Sequence, residues 1–249
     1  MTALTLLVCL ATAGQPDKSD RDALVGDARA VLAAVVESAR ARGKADTGDA
    51  LTARYVRAAA VAAGRLPEGR SGRAFALALG VGLDTSDLMR RNPAVSATWR
   101  RVETDQERKN RLAVLGTPTL HGRHDLAQHF AVSMALTAVL GERKAEAAGL
   151  LKELLDAQEG GSGFSFADLA SDLAGIEFAR AVIARPARLA AVAKSFEPRA
   201  FCPPPKGLPE GLSLAEFERR YGGLTDARFR AARDDLARRV KKLQGFDED

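Results

Sequence analysis

An all-α fold is expected for this chain: a multi-helix bundle with a central three-helix unit and a peripheral C-terminal helical tail. Three observations predict it. Only 5% of the 249 residues are aromatic, and the 46% that are hydrophobic are mostly Ala, Leu and Val. Ala and Leu favour helix, and a composition so poor in aromatics argues against a β-sandwich or barrel. Apolar residues recur at three- and four-residue steps in most of the chain, and no segment shows a convincing two-residue alternation. With 28% charged residues, the composition is globular rather than disordered.

The elements follow in order. Residues Met1 to Ala13 are apolar and uncharged and end in Ala-Thr-Ala before Gly14. This reads as the apolar core and cleavage site of a secretory signal, although a basic leading segment is missing. The alternative is a frayed N-terminus of a cytoplasmic protein. Leu6-Leu7-Val8 before Cys9 is a poor lipid-attachment motif. An N-terminal helical region then spans 14–118. Leu24, Val25, Ala28, Val31, Leu32, Val35, Val36 and Ala39 mark its first helix. A second runs from Asp49 to Ala63, stopped by Gly64 and Pro67, and a third from Arg73 to Leu83. Asp84 to Asp87 make a turn, Asn92-Pro93 a break, and Trp99 to Leu115 a charged surface helix. Gly116-Thr117-Pro118 closes this region.

The central unit, 119–196, carries helices over Arg123–Leu140, Arg143–Ala157 and Ser165–Ala184. Links as short as Gly141 and Glu159 to Gly163 imply antiparallel neighbours. Pro198, Pro203, Pro204, Pro205 and Pro209 define a linker at 197–212. The basic tail, 213–249, has helices over Leu214–Tyr221 and Thr225–Leu243. The best membrane-span candidate, Leu126 to Leu140, is too short and contains Gln128 and His129.

Two cysteines, Cys9 and Cys202, exclude a zinc ribbon or a disulfide framework. A formal net charge of +5 permits an anionic surface without demanding nucleic acid. In the last helix Phe229, Ala232, Leu236, Val240 and Leu243 form an apolar stripe bordered by Arg228, Arg230, Arg233, Arg238 and Arg239. Such a helix can lie on an anionic membrane or pack on the main body. Asp226, Asp234 and Asp235 dilute its charge, and no aromatic platform accompanies it, so nucleic acid is not expected as a partner.

The chain's three histidines, His121, His124 and His129, all fall in one nine-residue window. His121 and His124 read as solvent-facing turn residues. His129 lies in an apolar helix, on a line with Asp125, Ser133 and Thr137. A polar line inside a buried helix needs polar partners. The next helix offers Glu146, Gly149, Glu153 and Asp156; the third offers Asp168, Asp172 and Gly175. Two carboxylates one turn apart repel unless a cation, a proton or an arginine lies between them. The loop Gly160 to Ser165 could cradle an anion through its backbone and through Ser162 and Ser165. Equally, Ser165 and Asp168 fit a capping box. Two readings of the stripe stand. One is a satisfied Asp–His–Glu network holding three helices in register. The other is an acid–base or metal site for a divalent cation such as Mn or Zn.

Three motifs taken together resemble a known family: Asp125-x3-His129-Phe130, Lys152-Glu153-x2-Asp156, and Gly161-Ser-Gly-Phe-Ser-Phe-x-Asp168-x3-Asp172-x2-Gly175. Their order and spacing are similar to the YfiM-like family of small bacterial envelope proteins and putative lipoproteins, and more distantly to VanZ-like membrane proteins. The resemblance covers Asp125 to Gly175. It implies an extracytoplasmic, envelope location and picks out Asp125, His129, Glu153, Asp156, Asp168 and Asp172; it supplies no reaction. Without a lipid-attachment motif, lipid anchoring does not carry over.

The resulting expectation is an exported, envelope-associated hydrolase. His129 would be base or ligand, Asp125 its orienting group, and Glu153 an acid–base group or ligand. Asp156, Asp168 and Asp172, with Ser162 and Ser165, would bind cation or substrate. Candidate metal ligands are His129, Asp125, Glu153 and Asp156. The rivals are an envelope assembly protein with a purely structural network and a peripheral membrane binder. Geometry separates the first two: convergence at the floor of an open cleft favours an enzyme, and enclosure counts against it.

Overall fold

The computed structural model describes residues 18–43 and 45–246. The expected leader, 1–13, lies outside them. The fold is an all-α multi-helix bundle. The N-terminal region supplies α1 (Lys18–Arg40), α2 (Asp49–Ala63), α3 (Glu68–Leu83), α4 (Leu88–Arg91), α5 (Ser96–Val102) and α6 (Asp105–Leu115). The central helices are α7 (His124–Leu140), α8 (Glu142–Asp156) and α9 (Phe166–Ala184). They are followed by α10 (Arg188–Ser195), α11 (Pro198–Phe201), α12 (Leu214–Tyr221) and α13 (Ala227–Lys241). No described helix is long and apolar enough to cross a membrane.

Helix α7 is the axis of the bundle, packed most extensively against α3 and α9. The N-terminal region and the central unit therefore share one hydrophobic interior. Glycine makes both contacts possible. A Cβ on Gly80 would lie 2.2 Å from Ala135 Cβ, and one on Gly175 would lie 2.1 Å from the Phe130 carbonyl oxygen. Both distances are far inside van der Waals contact, so these helix pairs approach backbone to backbone. Helix α8 lies against α7 and α9, and α13 packs on α9.

The stretch from Trp99 to Leu115 differs from expectation. It is two helices, because Thr104 accepts from the Glu107 N–H and Glu107 accepts from the Thr104 N–H, a capping box that restarts the chain. It is also not a surface element throughout. Trp99 and Arg111 are both 1% exposed. The Arg111 guanidinium bonds Glu103 at 2.7 and 3.0 Å and the Gly82 and Asp84 carbonyls at 2.8 and 3.1 Å, so its charge is satisfied inside the core.

The tail is anchored by its apolar stripe. Phe229, Leu236 and Val240 are buried, and Phe229 meets the rings of Phe164, Phe166 and Phe217. Arg233 grips Glu146 on α8 with bonds of 2.6 and 2.5 Å. The proline-rich segment adds a short antiparallel bridge, Phe164 with Leu212, and a bond from the Phe166 N–H to the Pro209 carbonyl. These contacts fix the start of α9.

Candidate functional site

The central helices bring His129, Glu153, Asp168 and Asp172 together. His129 comes from α7, Glu153 from α8, and the two aspartates from successive turns of α9. The His129 Nδ1–H donates to Asp172 Oδ1 at 3.1 Å, and Ser133, one turn along α7, donates to the same oxygen at 2.6 Å. Nε2 of His129 faces the other way, 3.4 Å from Asp168 Oδ2 and 3.9 Å from Glu153 Oε1. One imidazole thus lies between the two carboxylates of α9.

Local structure sets each group. Ser165 N-caps α9, its side chain accepting from the Asp168 N–H at 3.1 Å. The Ser165 N–H does not go to Asp168, as a full capping box would require. It donates to Glu153 Oε2 at 2.9 Å. The Asp168 side chain is thereby released toward His129. Gly149 on α8 leaves room for Asp172, since a Cβ there would lie 2.6 Å from Asp172 Oδ2.

The electrostatics follow from burial and crowding. Burial pushes the His129 pKa down, but the Asp172 charge and hydrogen bond, with the Asp168 charge, outweigh it and lift it to about 9. Burial raises the fully enclosed Glu153 to about 7, against the opposing pull of Lys152. Asp168 is raised as well, first by burial, with His129 and Lys152 pulling the other way. Two buried carboxylate oxygens, Asp168 Oδ1 and Asp172 Oδ2, have no hydrogen-bond partner. Atoms of His129, Glu153 and Asp168 lie within 4.8 Å of one another, a span that one metal ion can bridge. Asp172 on Nδ1 would then fix the tautomer that leaves Nε2 free to ligate.

The remaining expected residues are placed differently. Asp125 does not orient His129. It pairs with Arg123 at 2.5 Å, and that guanidinium holds its carboxyl low against the opposing effect of burial. A step of four residues turns a helix by roughly 400°, so a four-residue line drifts about 40° per step and carries Asp125 off the buried face. Asp172 does the orienting instead. Thr137, at the other end, bonds back to the Ser133 carbonyl. Asp156 pairs with Lys152 at 2.7 Å and sits at the edge. Ser162 is exposed, and the glycine loop turns on itself, the Gly163 N–H donating to the Asp156 carbonyl at 2.7 Å. His121 and His124 are part-buried and tied rather than solvent-facing. His121 Nε2–H donates to the Cys202 carbonyl at 2.8 Å, and His124 Nδ1–H to the Pro118 carbonyl at 2.9 Å.

Two groups the sequence did not single out border the site. Lys152 Nζ is 3.0 Å from Glu153 Oε1, and Arg123 is 3.6 Å from Asp168 Oδ1. Lys152 was visible as part of a motif, and Arg123 as the expected first residue of the helix, where the structure has it as the N-cap. Their side chains are 32% exposed, whereas His129 is 10% exposed and Glu153 not at all. The site is enclosed rather than open. A cleft of about 720 Å³ lies nearby, lined by Asp49, His121 and Glu210 among others, but not by the four clustered residues. Glu210 joins it to the site through a 2.6 Å pair with Arg123.

Compared with family models, with curated proteins and with solved structures, the chain matches none.

Proposed function

We propose that this chain is an exported, envelope-associated protein whose bundle binds one divalent cation, with His129, Glu153 and Asp168 as ligands and Asp172 as the group orienting the imidazole. The observation that carries the cation reading is the convergence of three ligand atoms from three helices within 4.8 Å. Asp172 Oδ2, which has no hydrogen-bond donor, and Asp168 Oδ1, which has only the partly exposed Arg123 guanidinium at 3.6 Å, support it, because a buried carboxylate oxygen without a donor calls for a positive charge. One nitrogen and two carboxylate oxygens suit a hard or borderline ion such as Mn or Zn. The envelope assignment rests on the signal-like start at 1–13 and on the resemblance to YfiM-like proteins.

Hydrolysis is the weaker reading. The His129–Asp172 pair and a Glu153 near neutrality are acid–base furniture. Against it stands the enclosure of the site, where His129 is 10% exposed and Glu153 not at all. The membrane-surface reading is weaker still, since the apolar stripe of α13 is already used against α9.

Metal analysis and calorimetric titration with Mn(II) and Zn(II) test the proposal on wild type, His129→Ala and Glu153→Ala. One equivalent bound by wild type, and at least tenfold weaker binding by both variants with helicity retained, is expected. If wild type binds neither metal while both variants melt well below it, the cluster is a structural network and the proposal fails.

A further inference from the structure

Metal binding at this site meets a competitor already in place. Glu153 has two oxygens, and they are not equivalent. Oε2 accepts from the Ser165 N–H at 2.9 Å, a bond that ties α8 to the start of α9. Only Oε1 is turned toward His129, and Oε1 also accepts from Lys152 Nζ at 3.0 Å. The oxygen a metal needs is therefore the one the ammonium holds. A carboxylate oxygen at about 2.0–2.2 Å from a divalent ion cannot keep an ammonium beside it without strong repulsion in an enclosed site.

Lys152 has somewhere to go. Its Nζ already reaches Asp156 Oδ2 at 2.7 Å, one turn along α8. Lys152 and Asp156 are each 32% exposed, against 0% for Glu153. A flexible four-carbon stem lets the ammonium swing outward while keeping its Asp156 partner. Resting on the cation reading above, we propose that Lys152 is a resident counter-ion that an incoming divalent metal expels from Glu153, and that Asp156 is the group that receives it. Lys152 and Asp156 then set the affinity of the site without being ligands.

The test is calorimetric titration with Mn(II) and Zn(II) at one fixed pH. The proteins are wild type, Lys152→Met, Asp156→Asn and the double variant, with Lys144→Met as a control for lost charge on the same helix. Lys152→Met should bind at least tenfold tighter than wild type, and Lys144→Met within twofold of it. Asp156→Asn should bind several-fold weaker, and this effect should vanish in the Lys152→Met background. Lys152→Gln serves as a second arm should the Met variant fold poorly. Metal binding by wild type that is unchanged or weakened in both Lys152 variants overturns this inference and leaves the cation site standing. Binding by none of the proteins, Lys152→Met included, overturns the site itself. An Asp156→Asn effect that persists without Lys152 overturns the receiving role.

Discussion

The proton on His129 makes a measurable contribution to folding. Its pKa rises from 6.5 to about 9 on folding, and 2.5 units correspond to about 3 kcal/mol. The folded protein holds this proton more tightly than the unfolded chain. The stabilisation is therefore complete below pH 6.5 and is lost as pH rises through 9. Glu153 acts in the same direction. Its folded value of about 7 exceeds the ordinary 4.5, so folding favours its protonated form, and that stabilisation is lost as pH rises from 4.5 through 7. Between pH 6 and 8.5 the two should remove roughly 2 kcal/mol and roughly 1 kcal/mol respectively. Cys202, a thiol that burial pushes up to about 12 from 9.0, adds a similar loss only nearer and above pH 9. Urea unfolding of metal-free protein at pH 6, 7.25 and 8.5, with EDTA present, measures the slope. Wild type should lose about 3 kcal/mol over this range, His129→Gln substantially less, and His129→Gln/Glu153→Gln almost nothing. A double variant with the wild-type slope would refute the assignment of these protons.

Excess Mn(II) or Zn(II) should offset much of this loss, because ligation needs a neutral imidazole and ionised carboxylates. The shift in melting temperature on adding metal should grow from pH 6 to 8.5, approaching about 2.7 kcal/mol of stabilisation at a hundredfold excess over Kd. Gly175→Ala should cost about 3 kcal/mol in urea unfolding, because its methyl would meet the Phe130 backbone of α7. Gly149→Ala should cost less, about 1–2 kcal/mol, since the obstacle is the Asp172 side chain, and should shift the His129 ring resonances in NMR. Phe229→Ala should cost about 3–5 kcal/mol by the same assay, because the ring is 2% exposed within an aromatic cluster.

The helices with strong apolar periods were legible. Leu214–Tyr221 and Asp49–Ala63 match the expectation to the residue, and the three central helices to within one residue at each end. The one-turn helices Leu88–Arg91 and Pro198–Phe201 were not, because a single turn gives too few positions for a period to register, and Arg188–Ser195, as long as Leu214–Tyr221, was missed because no capping side chain marks its start. The interior position of Arg111 was hidden for another reason. A buried ion pair such as Arg111–Glu103 is written in the same letters as a solvated one. In the site, the requirement for a partner was legible and its identity was not. Spacing alone showed that His129 needs a polar partner, and the next two helices offered carboxylates. The choice of Asp172 over Asp125 depended on the drift of a four-residue line about the helix axis and on the depth of α9.

That choice bears on what the cluster is for. Asp168 and Asp172, one helical turn apart, need positive charge between them, and the structure supplies an imidazole that reaches one with each nitrogen. Compared with apolar packing of the same volume, such an arrangement adds little net stability even with the imidazole protonated. Burying three carboxylates costs several kcal/mol each, and apolar side chains of similar volume usually do as well or better. The neighbouring core is dense with Ala, Leu and Phe that do that work. A network that served only to hold α7, α8 and α9 in register would be expected to close on itself, with each lone pair met. Here Asp172 Oδ2 stays unmet and Asp168 Oδ1 has only the Arg123 guanidinium at 3.6 Å, while the Glu153 oxygen that faces His129 is held by a lysine with one foot in solvent. Those are properties of a site that exchanges its positive charge, and they are why the competition between Lys152 and a metal ion is the informative measurement.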